Sequence, residues 1–296
     1  VSDLAPLSFR QLVDRVPRMA LPHLRTTLLP VALPLATAGV LLAVLQSRWS
    51  QSLTTATDPG ELFGGMFVFF GGAMVVLAAY ALGFSALQVA SVDAVAGRPV
   101  NMTRAWLFTL RPPVLLTLLV VYFLGFVSLM MCFVPALYVV PVLSLVLPVM
   151  VEEDRRGIDA IRRSVGMAHS NPTGRLQDSG FAQLLALMVI GTVINYAISL
   201  VAQGPFVVIQ QILVFRNAAS GDPVSEAAVL SELLWLQVPA QIVGAFASVA
   251  VWLYWTFGLA MLYRELRRRR EGGDLRRSID ELTGTGAAGP EADAAT

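Results

Sequence analysis

Runs of around twenty apolar residues alternate along this chain with short polar segments, and nearly all the arginines fall in every second polar segment. Six spans can be drawn, at residues 28–46, 62–89, 113–133, 136–151, 181–202 and 238–263. A helix of about 20 residues crosses a hydrocarbon core roughly 30 Å thick. Of the 21 basic residues, all of them arginine, only Arg48 and Arg216 lie on the far side of these spans, which leaves nineteen on the other. Membrane proteins retain arginine on the cytoplasmic face. The pattern therefore predicts an all-α integral membrane helical bundle, with about six transmembrane helices and amphipathic interfacial helices, and with both termini cytoplasmic. Residues 1–27 form an amphipathic N-terminal segment, 28–263 the membrane domain, and 264–296 a basic tail whose end, rich in Ala and Gly, lacks apolar periodicity and is predicted to be disordered.

Local signals refine this division. Ser8 and Gln11 have the spacing of a capping box. The helix they open carries Phe9, Leu12, Val13 and Val16 on one face, and Pro17 is predicted to stop or kink it. It either lies in the membrane interface or packs on the bundle. In the second span Gly64-Gly65, Gly71-Gly72, and Ala79 with Gly83 offer small faces for close helix contact. Residues 113–151 are almost unbroken apolar sequence, which as one helix would run roughly 58 Å. They must fold back, with Pro135 as the predicted turn, and either two crossings or a re-entrant hairpin satisfies the charge pattern. Beyond Glu152, Ile158, Ile161, Val165 and Ala168 recur at helical spacing, with Asp159 and Arg163 placed to pair at i, i+4. Asn171 to Gly174 ends that helix. Gln203-Gly204-Pro205 is predicted to break the fifth span, leaving 206–215 interfacial or re-entrant. Asp222-Pro223 then caps a helix reaching about Gln237, ahead of the sixth span.

Composition agrees with a membrane protein. Hydrophobic residues make up 56% and charged residues 14% of the chain, with a mean hydropathy of +0.68, against about 25% charged in soluble domains. Arginine without lysine, and a Val at position 1 that fits a GTG start codon, suggest a high-GC bacterium and the cytoplasmic membrane. Ala36-Thr37-Ala38 has the form of a signal-peptidase site, but the apolar run continues through Leu45 where a cleaved leader would turn polar. Cys132 stands alone in an apolar run and reads as a packing residue.

Little in the chain points to catalysis. The spans hold no Asp, Glu, Lys, Arg or His, which argues against a proton-coupled transporter. Neutral polar groups remain at Gln88, Thr117, Ser128, Ser144, Gln183, Thr192, Asn195 and Gln241. Asn195 and Ser199, one turn apart, form a candidate intramembrane polar spot that either contacts lipid-like molecules or hydrogen-bonds between helices. His23 and His169 are not spaced as a metal pair. No cofactor, metal or nucleic-acid site is expected. Glu152, Glu153, Asp154 and Asp159 read either as a loop whose acids balance nearby arginines or as a Mg²⁺-binding site for a phosphate-bearing substrate. Arg155, Arg156, Arg162 and Arg163, together with Arg267, Arg268, Arg269 and Arg270, form a candidate surface for anionic headgroups or for a partner. That partner is a membrane protein or a second copy of the chain.

Three short segments carry a resemblance: Ala96-Gly97-Arg98-Pro99-Val100, Pro148 to Glu152, and Gly157-Ile158-Asp159-Ala160-Ile161-Arg162-Arg163-Ser164. In this order they resemble a family of bacterial multi-pass membrane proteins that includes the membrane domain fused to some glycerophosphodiester phosphodiesterases. The catalytic domain of those enzymes has no counterpart here. The resemblance implies a helical membrane fold and a membrane location, not the phosphodiesterase activity. Two functions follow as expectations. The first is a non-catalytic envelope component, a scaffold or transport-associated subunit handling lipid-like or apolar molecules. The alternative is a membrane enzyme acting on lipid headgroups through residues 152–159.

Overall fold

The computed structural model describes residues 8–55, 58–131, 133–170, 179–219 and 226–283. Among them there is no strand, and the chain is an all-α bundle. Its helices are α1 (Phe9–Ala20), α2 (Leu24–Thr55), α3 (Pro59–Val95), α4 (Met102–Thr109), α5 (Pro112–Met130), α6 (Phe133–Leu143), α7 (Val146–Glu153), α8 (Ile158–Ala168), α9 (Gly180–Ala219) and α10 (Glu226–Thr283). Six stretches of the described residues are long and apolar enough to cross a membrane: 9–49, 60–95, 112–130, 133–153, 180–213 and 235–272. These are the six spans of the sequence pattern, each lengthened at both ends except the third, which starts one residue earlier and ends three residues sooner. Cys132, the turn at Asn171 to Gly174, the Asp222-Pro223 cap and the tail beyond Thr283 lie outside the described residues.

Helix α10 is the axis of the bundle. It packs against α2, α9, α3 and α1, and Phe257, Leu259, Leu262 and Leu266 on it are buried in the common core. The capping box at the head of α1 forms on both arms: Gln11 N donates to Ser8 Oγ at 3.3 Å and Ser8 N to Gln11 Oε1 at 3.0 Å. Leu12, Val16 and Ala20 are then buried at i, i+4 and i+8, and the helix packs on α10.

Several prolines do not break the helices that the sequence suggests they should. Pro17 lies inside α1, which runs on to Ala20 and leads through a single 3₁₀ turn, Leu21–His23, into α2. Pro205 lies inside an unbroken α9, so 206–215 is not a separate segment but continues that helix. Gln237 and Val238 likewise belong to one helix, α10. A proline removes one intrahelical hydrogen bond. In a low-dielectric surround an open turn would expose several unsatisfied backbone groups, so the helix tolerates the smaller loss. Pro135 is also helical, in the first turn of α6, where its missing N–H would have had no partner anyway. The fold-back expected near Pro135 therefore falls just ahead of it, between the end of α5 at Met130 and the start of α6 at Phe133. A second break comes at Ser144 and Leu145, between α6 and α7, where Gln88 Nε2 of α3 donates to the freed Ser144 carbonyl at 2.8 Å.

The small-residue faces of α3 are used in part. A Cβ on Gly72 would collide with Leu45 of α2, and one on Gly83 would touch Leu35 and Val31, whereas Gly64 and Gly71 face open space. In α8 the buried positions are Ala160, Ser164, Met167 and Ala168. The expected face of Ile158, Ile161 and Val165 is rotated outward, with Ile158 exposed and the other two half-buried. Ser164 Oγ donates to the Val142 carbonyl of α6 and fixes that rotation.

Candidate functional site

The charged residues of the bundle meet where the arginine-rich ends of α3, α7, α8 and α10 converge. The chain turns sharply after each of the first two helices. At the end of α3, Gly97 adopts φ +74°, which glycine takes at no steric cost. Its N–H bonds the Ala94 carbonyl and the Arg98 N–H bonds the Asp93 carbonyl, a Schellman closure. At the end of α7, Asp154 takes the left-handed conformation at φ +50°, one that Asp tolerates better than most residues.

Both turns leave carboxylates at helix C-termini, where the helix dipole disfavours them. Arginines compensate. Glu152 and Glu153 are buried, with side chains 8% exposed. Glu152 accepts from Arg264 Nε at 2.9 Å and Arg267 Nη1 at 3.4 Å. Glu153 takes Arg163 Nε at 3.0 Å on each oxygen, Arg155 Nε at 3.0 Å and the Tyr263 hydroxyl at 3.0 Å. Glu271 joins Arg267 at 2.7 Å and Arg163 at 3.8 Å. Asp93, 1% exposed, is held by Arg98 at 2.6 Å and Arg104 at 3.7 Å. Arg264 Nη1 also donates to the Val95 carbonyl, so one guanidinium caps the end of α3 and ties α7 to α10. Buried Glu265 pairs with Arg269 at 2.9 Å.

This geometry agrees with one part of the expectations for residues 152–159, since the acids do balance nearby arginines, and corrects the surroundings expected for them. The two glutamates do not lie in a solvated loop, and they do not form an open pair awaiting a metal: guanidinium and phenol groups occupy their oxygens. Among the described residues no group of three or more His, Cys, Asp or Glu side chains gathers to hold a metal. The Asp159–Arg163 pair does not form. Asp159 is exposed, and Arg163 turns instead to a buried carboxylate, where a charge interaction is less screened. Tyr263 is buried against Glu153. Trp235 is fully in the open at 85% exposure.

The eight arginines of the candidate surface divide in two. Arg163, Arg267 and Arg269 are drawn inward, and Arg155 reaches Glu153 while half-exposed. Arg156 pairs with the exposed Asp154. Arg162, Arg268 and Arg270 are exposed, and among the described residues they have no carboxylate partner. The two histidines are ring-packed. His23 stacks on Phe257 at 5.6 Å, and His169 Nε2 lies 2.9 Å from the Tyr138 hydroxyl.

Asn195 and Ser199 lie far from this cluster, both half-buried on α9. Most of the other neutral polar groups singled out in the spans are satisfied locally. Thr117 bonds the Pro113 carbonyl and receives Gly157 N–H, Ser128 bonds the Gly125 carbonyl, and Ser144 bonds the Pro141 carbonyl. Sequence reading missed Asp93, Arg98, Tyr263 and Arg264 as cluster members. The available signal was spacing: Tyr263, Arg264, Arg267 and Glu271 recur at i, i+1, i+4 and i+8 on one helix face.

Compared with known protein families, with curated proteins and with solved structures, the chain matches none. The three short segments that carry the sequence resemblance do meet in space. Gly97 and Arg98, Glu152, and Arg163 each supply a turn or a charge to this one cluster.

Proposed function

We propose that this chain is a non-catalytic multi-pass protein of the bacterial cytoplasmic membrane, a scaffold or transport-associated component that handles lipid-like or apolar molecules. Both termini then face the cytoplasm, and the exposed Arg162, Arg268 and Arg270 lie against anionic headgroups. The observation that carries this reading is the pairing at the arginine-rich end. Glu152 and Glu153, the carboxylates there that could act as general base or metal ligand, are committed to arginines from other helices, and Arg264 also reaches the end of α3, so the cluster serves as a tie between α3, α7, α8 and α10. Within the narrower spans drawn from the sequence pattern, neutral amide and hydroxyl groups are left, which suit contact with uncharged or apolar molecules better than proton transfer.

The test is twofold. Full-length protein is incubated with phosphatidylglycerol vesicles in Mg²⁺ or in chelator. The expected result is intact headgroups in both, with lipid retained equally by wild type and by Asp154→Asn with Asp159→Asn, two exposed positions. Mg²⁺-dependent headgroup release that this double variant abolishes would overturn the reading in favour of a headgroup enzyme. A reporter fused after Arg277 is expected to behave as cytoplasmic and one inserted near Asp58 as external; an external C-terminus contradicts the orientation.

A further inference from the structure

At the end of the bundle away from the arginines, polar side chains line the seam between α9 and α10 without partners. Asn195, Ser199 and Gln203 follow one another at i, i+4 on α9 and so share a face. All three are half-buried. One turn before Asn195, Gly191 packs against the Trp255 ring of α10, and at the other end the Gln203 amide rests on Gly244 of α10. The row is therefore pinned along the seam at both ends. Beside it on α10, half-buried Gln241 sits against Gly39 of α2. Among the described residues none of these four side chains has a hydrogen-bond partner. The Trp255 indole Nε1 at the foot of the row is buried and unpartnered as well.

Unsatisfied amides and hydroxyls are expensive in hydrocarbon. If these groups served to join helices, they would bond across the seam, as Ser91 of α3 does to Thr256 of α10 at 2.7 Å. They do not, so their capacity is free for a molecule that enters the seam. The row has both donors and acceptors but no charge. An aromatic wall stands beside it: Trp252 packs edge-to-face on Tyr80 and Phe84 of α3, and Trp255 on Phe84. The neighbouring face of α9, with Val193, Tyr196 and Leu200, is exposed and apolar, so the seam opens toward the lipid phase.

We propose that the α9–α10 seam binds an amphiphile with an uncharged, hydrogen-bonding head, of the diacylglycerol type. The ester and hydroxyl groups engage Asn195, Ser199, Gln203 and Gln241, and an acyl chain lies against Trp252 and Trp255. This deepens the lipid-handling reading above and rests on it. The experiment uses full-length protein in detergent, with dioleoylglycerol brominated in its acyl chains as the probe and a brominated alkane of equal chain length as control. The expected result is saturable quenching of tryptophan fluorescence by the diacylglycerol, much of it lost in Trp255→Phe. Asn195→Leu with Gln203→Leu weakens binding about tenfold without lowering the melting temperature, and Ser199→Ala gives a smaller loss as a second, conservative probe. Unchanged affinity in these variants, or equal affinity for the alkane, overturns the seam while leaving lipid handling elsewhere intact. A lowered melting temperature, or loss of a crosslinked dimer, in the same variants would also overturn it, assigning the row to helix or subunit joining. Absence of any saturable quenching overturns both the seam and the broader reading.

Discussion

The two ends of this bundle handle polarity in opposite ways. At the arginine-rich end the groups are charged and nearly every buried one is paired, as with Glu152, Glu153 and Asp93. At the far end the groups are neutral and unpaired, as with Asn195, Gln203 and Gln241. A buried charge must be paired or the fold fails. An unpaired amide costs less, and a fold can carry several if they are used. Full formal charge therefore marks the part of the molecule that is fixed, and neutral polarity marks the part with capacity to spare.

Glu153 offers the hardest test of the fixed end. Glu153→Ala strips a carboxylate from Arg163, Arg155 and Tyr263, and is expected to lower stability by about 3–5 kcal/mol, read from unfolding in detergent. Asp154→Ala, next door but exposed, is expected to change little. If the two melt alike, the cluster is not holding the helices together.

A glycine pair sharpens the contrast at the level of the backbone. A Cβ on Gly180 would lie 2.6 Å from the Met167 carbonyl, whereas on Gly244 it would meet only the tip of Gln203. Gly180→Ala is expected to cost about 1–3 kcal/mol through overpacking. Gly244→Ala should cost far less, because the amide can swing aside. Thermal unfolding of both variants, measured side by side, decides it.

Arg162 and Arg163 are adjacent but belong to different roles. Arg162→Gln is expected to leave stability unchanged and to weaken retention on anionic vesicles by about 1 kcal/mol, an effect that added salt removes. Arg163→Gln is expected to lower the melting temperature instead. Equal behaviour of the two in both assays would erase the division of the arginine surface. The smallest effect is expected at the far end. Gln241→Leu removes a polar group that has no partner, so stability should stay within about 0.5 kcal/mol of wild type or rise; a clear loss would mean the amide is bonded after all.

Much of this architecture was legible in the chain. The spans, the capping box at Ser8 and the close approach at Gly72 follow from patterns spanning a few residues. Two prolines misled because local propensity was weighed without the surround: Pro17 and Pro205 sit inside helices that packing and a dry environment hold together, whereas Pro135 did mark a fold-back, from just inside the first turn of α6. The cluster was hidden for a different reason. Asp93, Glu153, Arg163 and Arg264 lie on four helices, and no short-range pattern states that Glu153 will prefer Arg163 over a solvated position. Asn195 and Ser199 could be picked out by polarity alone, but their lack of partners appears only when α10 is placed beside them.

Helix α10 carries both ends of the molecule on one continuous rod. Gly244, under the Gln203 amide, and Arg264, on Glu152, are separated by about 30 Å of uninterrupted helix, with no proline between them. Such a rod behaves as a shaft. It transmits torsion, so a turn that prises Gln203 from its seat on Gly244 must also swing Arg264 and Arg267 past Glu152. The ionic knot therefore fixes the rotational setting of the rod on which Gly244 and its Gln203 contact sit.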